Sequence, residues 1–99
     1  MTRGRPIKPR VIRTELKVKQ FSPRGRIGRP GNIELKTEEA EAIRFSDHMG
    51  LSQKEAAGFM GISQQTFSRV LKSGRKRLAE ALVMGHIIKV RGGSFRVEK

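Results

Sequence analysis

The chain has 99 residues, of which 35% are hydrophobic and 31% are charged, and its net charge at pH 7 is +13. This length suits one small domain with a thin hydrophobic core, and no apolar run is long enough to cross a membrane. The sequence contains no cysteine, which excludes disulfides and thiolate metal sites. The basic N-terminus also lacks the apolar segment of a signal peptide.

The positive charge is concentrated towards the two ends of the chain. Residues 1–36 carry a net charge of +9, residues 37–85 carry +1 and residues 86–99 carry +3. A nearly neutral middle between basic flanks is typical of a protein that binds a polyanion. Nucleic acid is the favoured polyanion. The alternative is that the basic tails only aid solubility, or touch RNA and acidic lipid without selectivity.

The first flank, residues 1–36, is expected to form a basic arm, a short strand and a loop. Residues 1–15 contain two prolines and show no helical period, which favours an extended arm. Leu16–Phe21 alternates apolar and polar residues and predicts a short strand with one buried face. The glycines and prolines between Ser22 and Asn32 predict a loop.

The neutral middle, residues 37–85, predicts three helices. The first begins at Thr37, which is a good N-cap, and ends at Gly50. The second begins after Ser52, which can form a capping box with Glu55 three residues later.

The third helix is the longest of the three. Gly61 ends the second helix, and Ser63 caps the third. Its apolar stripe recurs at three and four residues from Phe67 to Leu82, and the helix is expected to run to Met84, with Gly85 as the C-cap. Gly74, which precedes a basic run, marks a possible bend or break.

The last segment, residues 86–99, predicts a β-hairpin. Two β-prone runs, 86–90 and 94–97, flank the pair Gly92-Gly93. A lone hairpin is marginally stable in water. It should therefore dock on the helices, pair with the strand near Val18, or pair with a second subunit.

The segment Gln53–Lys72 fits a helix-turn-helix. Ala57 provides the small residue where the two helices approach closely, and four residues later Gly61 provides the positive φ of the turn. The apolar positions between the helices are filled by Met60, Ile62, Phe67 and Val70. The simpler alternative is an ordinary helical hairpin with a glycine turn.

In a helix-turn-helix, the start of the second helix enters the DNA major groove. Glutamine can pair with adenine and arginine with guanine. The candidate base contacts are therefore Gln64, Gln65 and Arg69. The candidate contacts to the DNA backbone are Ser63, Thr66, Ser68 and Lys72.

The N-terminal arm contains the sequence RGRP, which resembles the core of an AT-hook. An extended backbone with arginines fits the narrow minor groove of A·T-rich DNA. Loose contact with phosphates is the alternative. The arm candidates for either role are Arg3, Arg5, Lys8 and Arg10.

No catalytic grouping is visible in the sequence. His48 and His86 lack the neighbours of a metal site, and there are no paired carboxylates or Ser-His-Asp set. No phosphate-binding glycine loop precedes a helix. We therefore expect a protein that is not an enzyme and that uses no metal or cofactor.

Three blocks carry a family resemblance: RPIKPRV, VKQFSPRG and LKTEEAEAIRFSDHMGLSQKEAAGFMGISQQTFSRVLKSGRKRLAEAL. They resemble small predicted DNA-binding proteins of bacteria and archaea, the family called domain of unknown function 134, over about residues 5–93. The last block is also similar to the sigma-factor domain that reads the −35 promoter element. The resemblance implies a mainly α fold of winged-helix size, whose recognition helix begins in Ser63–Lys72. RNA polymerase is a possible partner by this analogy alone.

We therefore expect sequence-specific binding of double-stranded DNA, in the cytoplasm at the nucleoid, by a transcriptional regulator. The fold should be mainly α, with a basic arm and a C-terminal β-hairpin. A homodimer would read two half-sites, through the hairpin or the helix around Leu78 and Leu82. Non-specific architectural DNA binding is the alternative. RNA binding has less support because the chain has no Tyr or Trp for base stacking.

Overall fold

The computed structural model describes residues 9–25 and 28–98. The elements in this part of the chain are β1 (Arg10–Ile12), β2 (Gln20–Phe21), β3 (Asn32–Leu35), α1 (Thr37–Ile43) with a π-helical extension (Arg44–His48), α2 (Gln53–Met60), α3 (Gln64–Met84), β4 (Ile87–Val90) and β5 (Phe95–Val97). The arm candidates Arg3, Arg5 and Lys8 lie outside the described residues. None of the helices described is long and apolar enough to span a membrane.

Helix α1 begins one residue earlier than expected, because its N-cap is Lys36 and not Thr37. The backbone N–H of Thr37 donates to the carbonyl of Gly92 at 3.2 Å. The side chain of Glu39 accepts from the backbone N–H of Lys36 at 2.9 Å. Thr37 is therefore already helical, and its N–H finds an acceptor outside the helix. Gly50 has φ +76°, the left-handed conformation expected just after a helix end.

The expected bounds of α2 and α3 are confirmed. The Ser52 hydroxyl accepts from the Glu55 N–H at 3.1 Å, and the Glu55 carboxylate accepts from the Ser52 N–H at 3.1 Å. Ser63 caps α3 by accepting from the N–H of Thr66 at 3.0 Å. Helix α3 then continues for 21 residues to its left-handed C-cap, Gly85.

Helix α3 runs without a break through Gly74, which is buried against α1. A Cβ atom added there would lie 3.0 Å from the Cβ of Glu39 and 3.2 Å from the Cδ1 of Ile43. The glycine therefore allows two helices to approach closely instead of ending one of them.

The expected hairpin in residues 86–99 is wrong, because β4 and β5 pair with other strands. Strand β4 lies between β2, which is antiparallel to it, and β3, which is parallel, while β5 pairs in parallel with β1. Gly92 and Gly93 both have positive φ, but they carry the chain past the start of α1. There the N–H of Ser94 donates to the Glu38 carboxylate at 3.3 Å. The strands β1, β2 and β3, all from the N-terminal flank, thus pair with β4 and β5 in place of a hairpin.

The described part of the first flank contains more regular structure than its composition suggests. An extended arm is expected over residues 1–15, yet Val11 and Ile12 in β1 are 5% and 0% exposed. The strand predicted at Leu16–Phe21 is reduced to Gln20–Phe21, and both of these residues are exposed rather than half-buried. The basic and proline residues around β1 conceal its two core residues in the sequence.

Two hydrophobic clusters hold the elements together. The cluster between the helices contains Ala42, Phe45, Ala56, Ala57, Met60, Phe67 and Leu71. The cluster between strands and helices contains Ile33, Leu35, Ala40, Ala81 and Val90. Strands from both sides of the helical segment thus share a core with α1 and with the C-terminal part of α3.

Candidate functional site

The α2–α3 unit, which we define as α2, the turn Gly61–Ser63 and α3, has the internal packing expected from the sequence. Gly61 has φ +66°, and the N–H of Ile62 donates to the carbonyl of Ala57 at 3.1 Å. Ala57 and Phe67 are 2% and 0% exposed. Met60 is buried with them, while Ile62 and Val70 are half-buried against the same cluster. The two helices are therefore held rigidly across a short turn.

The residues predicted to contact DNA lie on the outer side of this unit. Six of the seven are exposed, namely Ser63, Gln64, Gln65, Ser68, Arg69 and Lys72. The seventh, Thr66, is half-buried and accepts a hydrogen bond from the Ser63 hydroxyl at 3.0 Å. The Ser63 hydroxyl donates its only hydrogen to Thr66 and accepts from the Thr66 N–H as the cap, so its hydrogen is used within the helix start.

The basic residues of α3 divide into paired and unpaired groups. Arg75 donates to Asp47 at 2.6 Å, and Arg77 lies 3.9 Å from Glu39. The α3 cations without an acidic partner among the described residues are Arg69, Lys72 and Lys76, all exposed. Together with Gln65 they recur at intervals of four, three and four residues, which places them on one helix face. We call Gln65, Arg69, Lys72 and Lys76 the outward stripe.

The pair between Arg75 and Asp47 shows why one cation of α3 differs from its neighbours. Two hydrogen bonds from the Arg75 guanidinium, at 2.6 and 3.0 Å, lower the pKa of the Asp47 carboxyl below its usual value. Both side chains are about half exposed, so solvent screens the pair and its contribution to stability is small. Its consequence is that Arg75 is already neutralised by an internal acid.

Three acids of α1 point inward, which the sequence did not reveal. Glu38, Glu39 and Glu41 are 7%, 3% and 3% exposed. Glu39 accepts from the Ser73 hydroxyl at 2.6 Å, and Glu41 accepts from the Arg13 backbone N–H at 2.6 Å. Each acid thereby fastens a different segment to α1. The near-neutral charge of residues 37–85 thus conceals a basic outer face on α3.

Strand β1 brings the start of the described chain beside the α2–α3 turn. A Cβ atom added to Gly61 would contact Cγ2 of Val11 at 3.5 Å. Arg10, the first residue of β1, lines an open groove of about 500 Å³ together with Ser63 and Thr66. It also lines a polar groove of about 180 Å³ beside Arg69. The arm candidate Arg10 therefore lies near the predicted backbone contacts Ser63 and Thr66 and the predicted base contact Arg69, although nothing in its sequence position indicates this.

Comparison with known proteins places the chain in one family. Residues 1–98 match the sequence profile described as protein of unknown function DUF134. A UPF0251 protein of Methanococcus maripaludis strain C7 is 40% identical, over 98% of this chain and 75% of its own length. A UPF0251 protein of Thermoanaerobacter sp. strain X514 is 44% identical, over 94% of this chain and 83% of its own length. No solved structure matches the chain.

Proposed function

Because the chain belongs to the DUF134 family, whose description assigns no function, we propose a function from the geometry of the α2–α3 unit. The protein binds double-stranded DNA sequence-specifically and regulates transcription. Helices α2 and α3 form a helix-turn-helix, and α3 is its recognition helix. The observation that carries this proposal is the outward stripe, where polar and basic side chains project from a helix whose other face is buried.

The packing of the α2–α3 unit supports a helix-turn-helix over an ordinary helical hairpin. The small residue at Ala57, the left-handed Gly61 and the buried Phe67 together hold the two helices at a short turn. This leaves the first two turns of α3 uncovered. A major groove about 12 Å wide admits an α-helix, whose diameter with side chains is about 10–12 Å, and Gln64–Lys72 presents about 12 Å of helix length to it.

The chemistry of the outward stripe supports reading of bases as well as attraction to phosphates. Gln65 and Arg69 lie one turn apart on the same face and carry the groups that recognise adenine and guanine. Gln64 is exposed beside them. Lys72 and Lys76 lie further along the stripe and supply charge for the DNA backbone. Arg69 forms no ion pair with an acidic side chain among the described residues, so it can bind a base without first breaking one.

The position of β1 supports a combined role for the helix and the N-terminal arm. The arm joins the folded body at Arg10, which borders the grooves beside Thr66 and Arg69. Arg3, Arg5 and Lys8 are at most seven residues from that point. Contact of α3 with the major groove therefore brings the arm within reach of adjacent phosphates or of the neighbouring minor groove.

Loss of base recognition is the direct test. A preferred site is first selected from random duplexes at physiological salt. Arg69→Ala and Gln65→Ala are then expected to lose about 1–3 kcal/mol on the selected site and little on a scrambled duplex. Fluorescence anisotropy measures both affinities. Since both side chains are exposed, neither change should affect folding.

Lys72→Ala is the matched control, because Lys72 is exposed on the same stripe. It should weaken binding to both duplexes equally and make the dependence of log K on log salt shallower by about one. A random pool that yields no preferred sequence would contradict specific binding. So would an equal loss on both duplexes for all three variants.

Non-specific architectural binding is a second candidate function, and the wide distribution of cations favours it. Exposed basic side chains outside α3 include Lys17, Lys19, Arg24, Arg29 and Lys54. Such a surface attracts any duplex through its phosphates. Under this alternative the arm would dominate binding and the outward stripe would contribute only charge.

Removal of residues 1–8 distinguishes the two functions. This truncation ends before β1, so the buried residues Val11 and Ile12 are retained. It deletes Arg3, Arg5 and Lys8, and should weaken binding to all duplexes while reducing the salt slope by up to about three. We expect the preference for the selected site to survive. Collapse of that preference in the same anisotropy assay would favour the arm-dominated alternative.

A further inference from the structure

The end of α3 is apolar on every side, which is unusual for a helix on a protein surface. Ala81 faces inward and is 3% exposed, whereas Leu82, Val83 and Met84 are 84%, 80% and 53% exposed. A helix that is hydrophobic all round is normally buried. Leu78, one turn earlier, and Phe21 in β2 are also exposed apolar residues. We call Phe21, Leu78, Leu82, Val83 and Met84 the apolar end.

Two shallow grooves extend the apolar end into the body of the protein. One has a volume of about 380 Å³ and the other about 280 Å³. Both are lined by Phe21, Leu78 and Ile88, so they are adjoining parts of one surface. The first continues to Leu16 and Ile43, and the second continues to Leu82. The surface thus combines the protruding side chains at the end of α3 with two adjoining grooves that can accommodate apolar side chains of a partner.

The size of this surface approaches what a specific protein contact needs. With about 150–200 Å² for each large apolar side chain, the exposed fractions of the apolar end leave roughly 500 Å² open to solvent. The groove walls add to that area. A standard interface buries about 800 Å² on each partner, whereas scattered exposed apolar residues need no partner.

The charges around the apolar end indicate which kind of molecule binds there. Residues 78–85 contain a single charged residue, Glu80, in a chain whose net charge is +13. The one Lys or Arg that lines the two grooves, Arg44, is already paired with Glu41, so nucleic acid would find no unpaired Lys or Arg there. An acidic protein would bind the basic faces instead. Two copies of this chain repel each other through most of their surfaces, so their contact is favoured where unpaired cations are absent. We propose that the apolar end is a homodimer interface.

The length of α3 makes such a dimer compatible with two DNA half-sites. This compatibility, unlike the dimer itself, rests on the proposed function. Ser68 and Leu82 are 14 residues apart, which is about 21 Å along the helix. In a dimer whose two α3 helices cross near Leu82, the two Ser68 residues, near the DNA-contacting ends of the helices, can therefore lie up to about 42 Å apart. The separation of about 34 Å between half-sites one turn apart lies within this range.

Sedimentation equilibrium without DNA tests the dimer itself. In 0.3 M salt, which screens the like charges, the wild-type protein should dimerise in the micromolar range. Leu82→Glu should raise the dimer dissociation constant at least 100-fold, because both copies place a carboxylate in the contact. Val97→Glu is the control: Val97 is 38% exposed in β5 and lines neither groove. It should leave the constant within threefold of wild type.

A chemical cross-link gives a second readout that does not depend on disruption. The chain has no cysteine, so Leu82→Cys introduces a single thiol. A short bismaleimide should link two copies through Leu82→Cys and should not link them through Val97→Cys. A wild-type protein that stays monomeric at 200 µM would overturn the dimer. A dimer that Leu82→Glu leaves intact would overturn its location. Neither measurement uses DNA, so the test of the dimer is independent of whether the proposed function is correct.

Discussion

Replacing Glu41 with alanine is expected to cost about 3 kcal/mol of folding free energy, because it removes one partner of a mostly buried ion pair. Glu41 is 3% exposed and accepts from the Arg44 guanidinium at 2.7 and 3.1 Å. The hydrogen bond to Glu41 raises the pKa of Arg44 above its ordinary value. Removing Glu41 takes away that rise, but an arginine remains protonated at neutral pH in any case, so Arg44 stays charged without its partner. The backbone N–H of Arg13 loses its acceptor at the same time.

Urea denaturation followed by circular dichroism measures this loss. Glu15→Ala is the control, since Glu15 is 49% exposed and its 3.7 Å pair with Lys19 lies in solvent. That change should cost under about 1 kcal/mol. Glu41→Gln retains an oxygen for the Arg13 N–H but loses the charge, so it should fall between the two. If Glu41→Ala were as stable as Glu15→Ala, the inward acid would not hold β1 to α1.

Introducing leucine at Gly74 is expected to destabilise the protein by about 1–3 kcal/mol, through overpacking between α1 and α3. An added Cβ alone would lie 3.0 Å from the Cβ of Glu39 and 3.3 Å from its carbonyl oxygen. The Cδ1 of Ile43, one turn further along α1, would be 3.2 Å away. Backbone cannot yield as a flexible side chain can, so the helices must separate. The gain in helix propensity, about 1 kcal/mol, offsets only part of this cost.

The same change at Gly58 isolates the effect of space. Gly58 is also inside a helix, but an added Cβ there would have no atom within 4 Å. Gly58→Leu should therefore stabilise α2 by about 0.5–1 kcal/mol, since glycine is a poor helix former. Thermal unfolding of both variants measures the difference. Equal stability of the two would contradict close packing of α1 against α3 at Gly74.

Inward packing of the α1 acids also makes the distribution of charge on the folded surface differ from its distribution along the sequence. The sequence alone divides the chain into basic flanks and a neutral middle. In the folded chain, three acids of that middle are buried, and Asp47 neutralises Arg75. The outward stripe is therefore basic in its own right. Under the proposed function, attraction to phosphates is shared between α3 and the flanks, so the arm truncation should weaken binding without abolishing it.

Local chemistry made α2 and α3 predictable from the sequence. Ser52, Gly61, Ser63 and Gly85 act through hydrogen bonds and φ angles that involve residues at most five positions away. The same holds for the apolar spacing that buries Phe67. Because the period of an α-helix is constant, the sequence also determined that Gln65 and Arg69 share the exposed face.

Only the tertiary structure decided which strands pair and where the N-terminal flank lies. Two β-prone runs around Gly92 and Gly93 are as consistent with a hairpin as with two separate pairings. The choice depended on β1 and β3, whose few apolar residues gave little signal in a basic flank. Burial of Glu41 depended likewise on Arg13, 28 residues away. Contacts between distant residues leave no period in a sequence, so the position of β1 beside the α2–α3 turn emerged only from the folded chain.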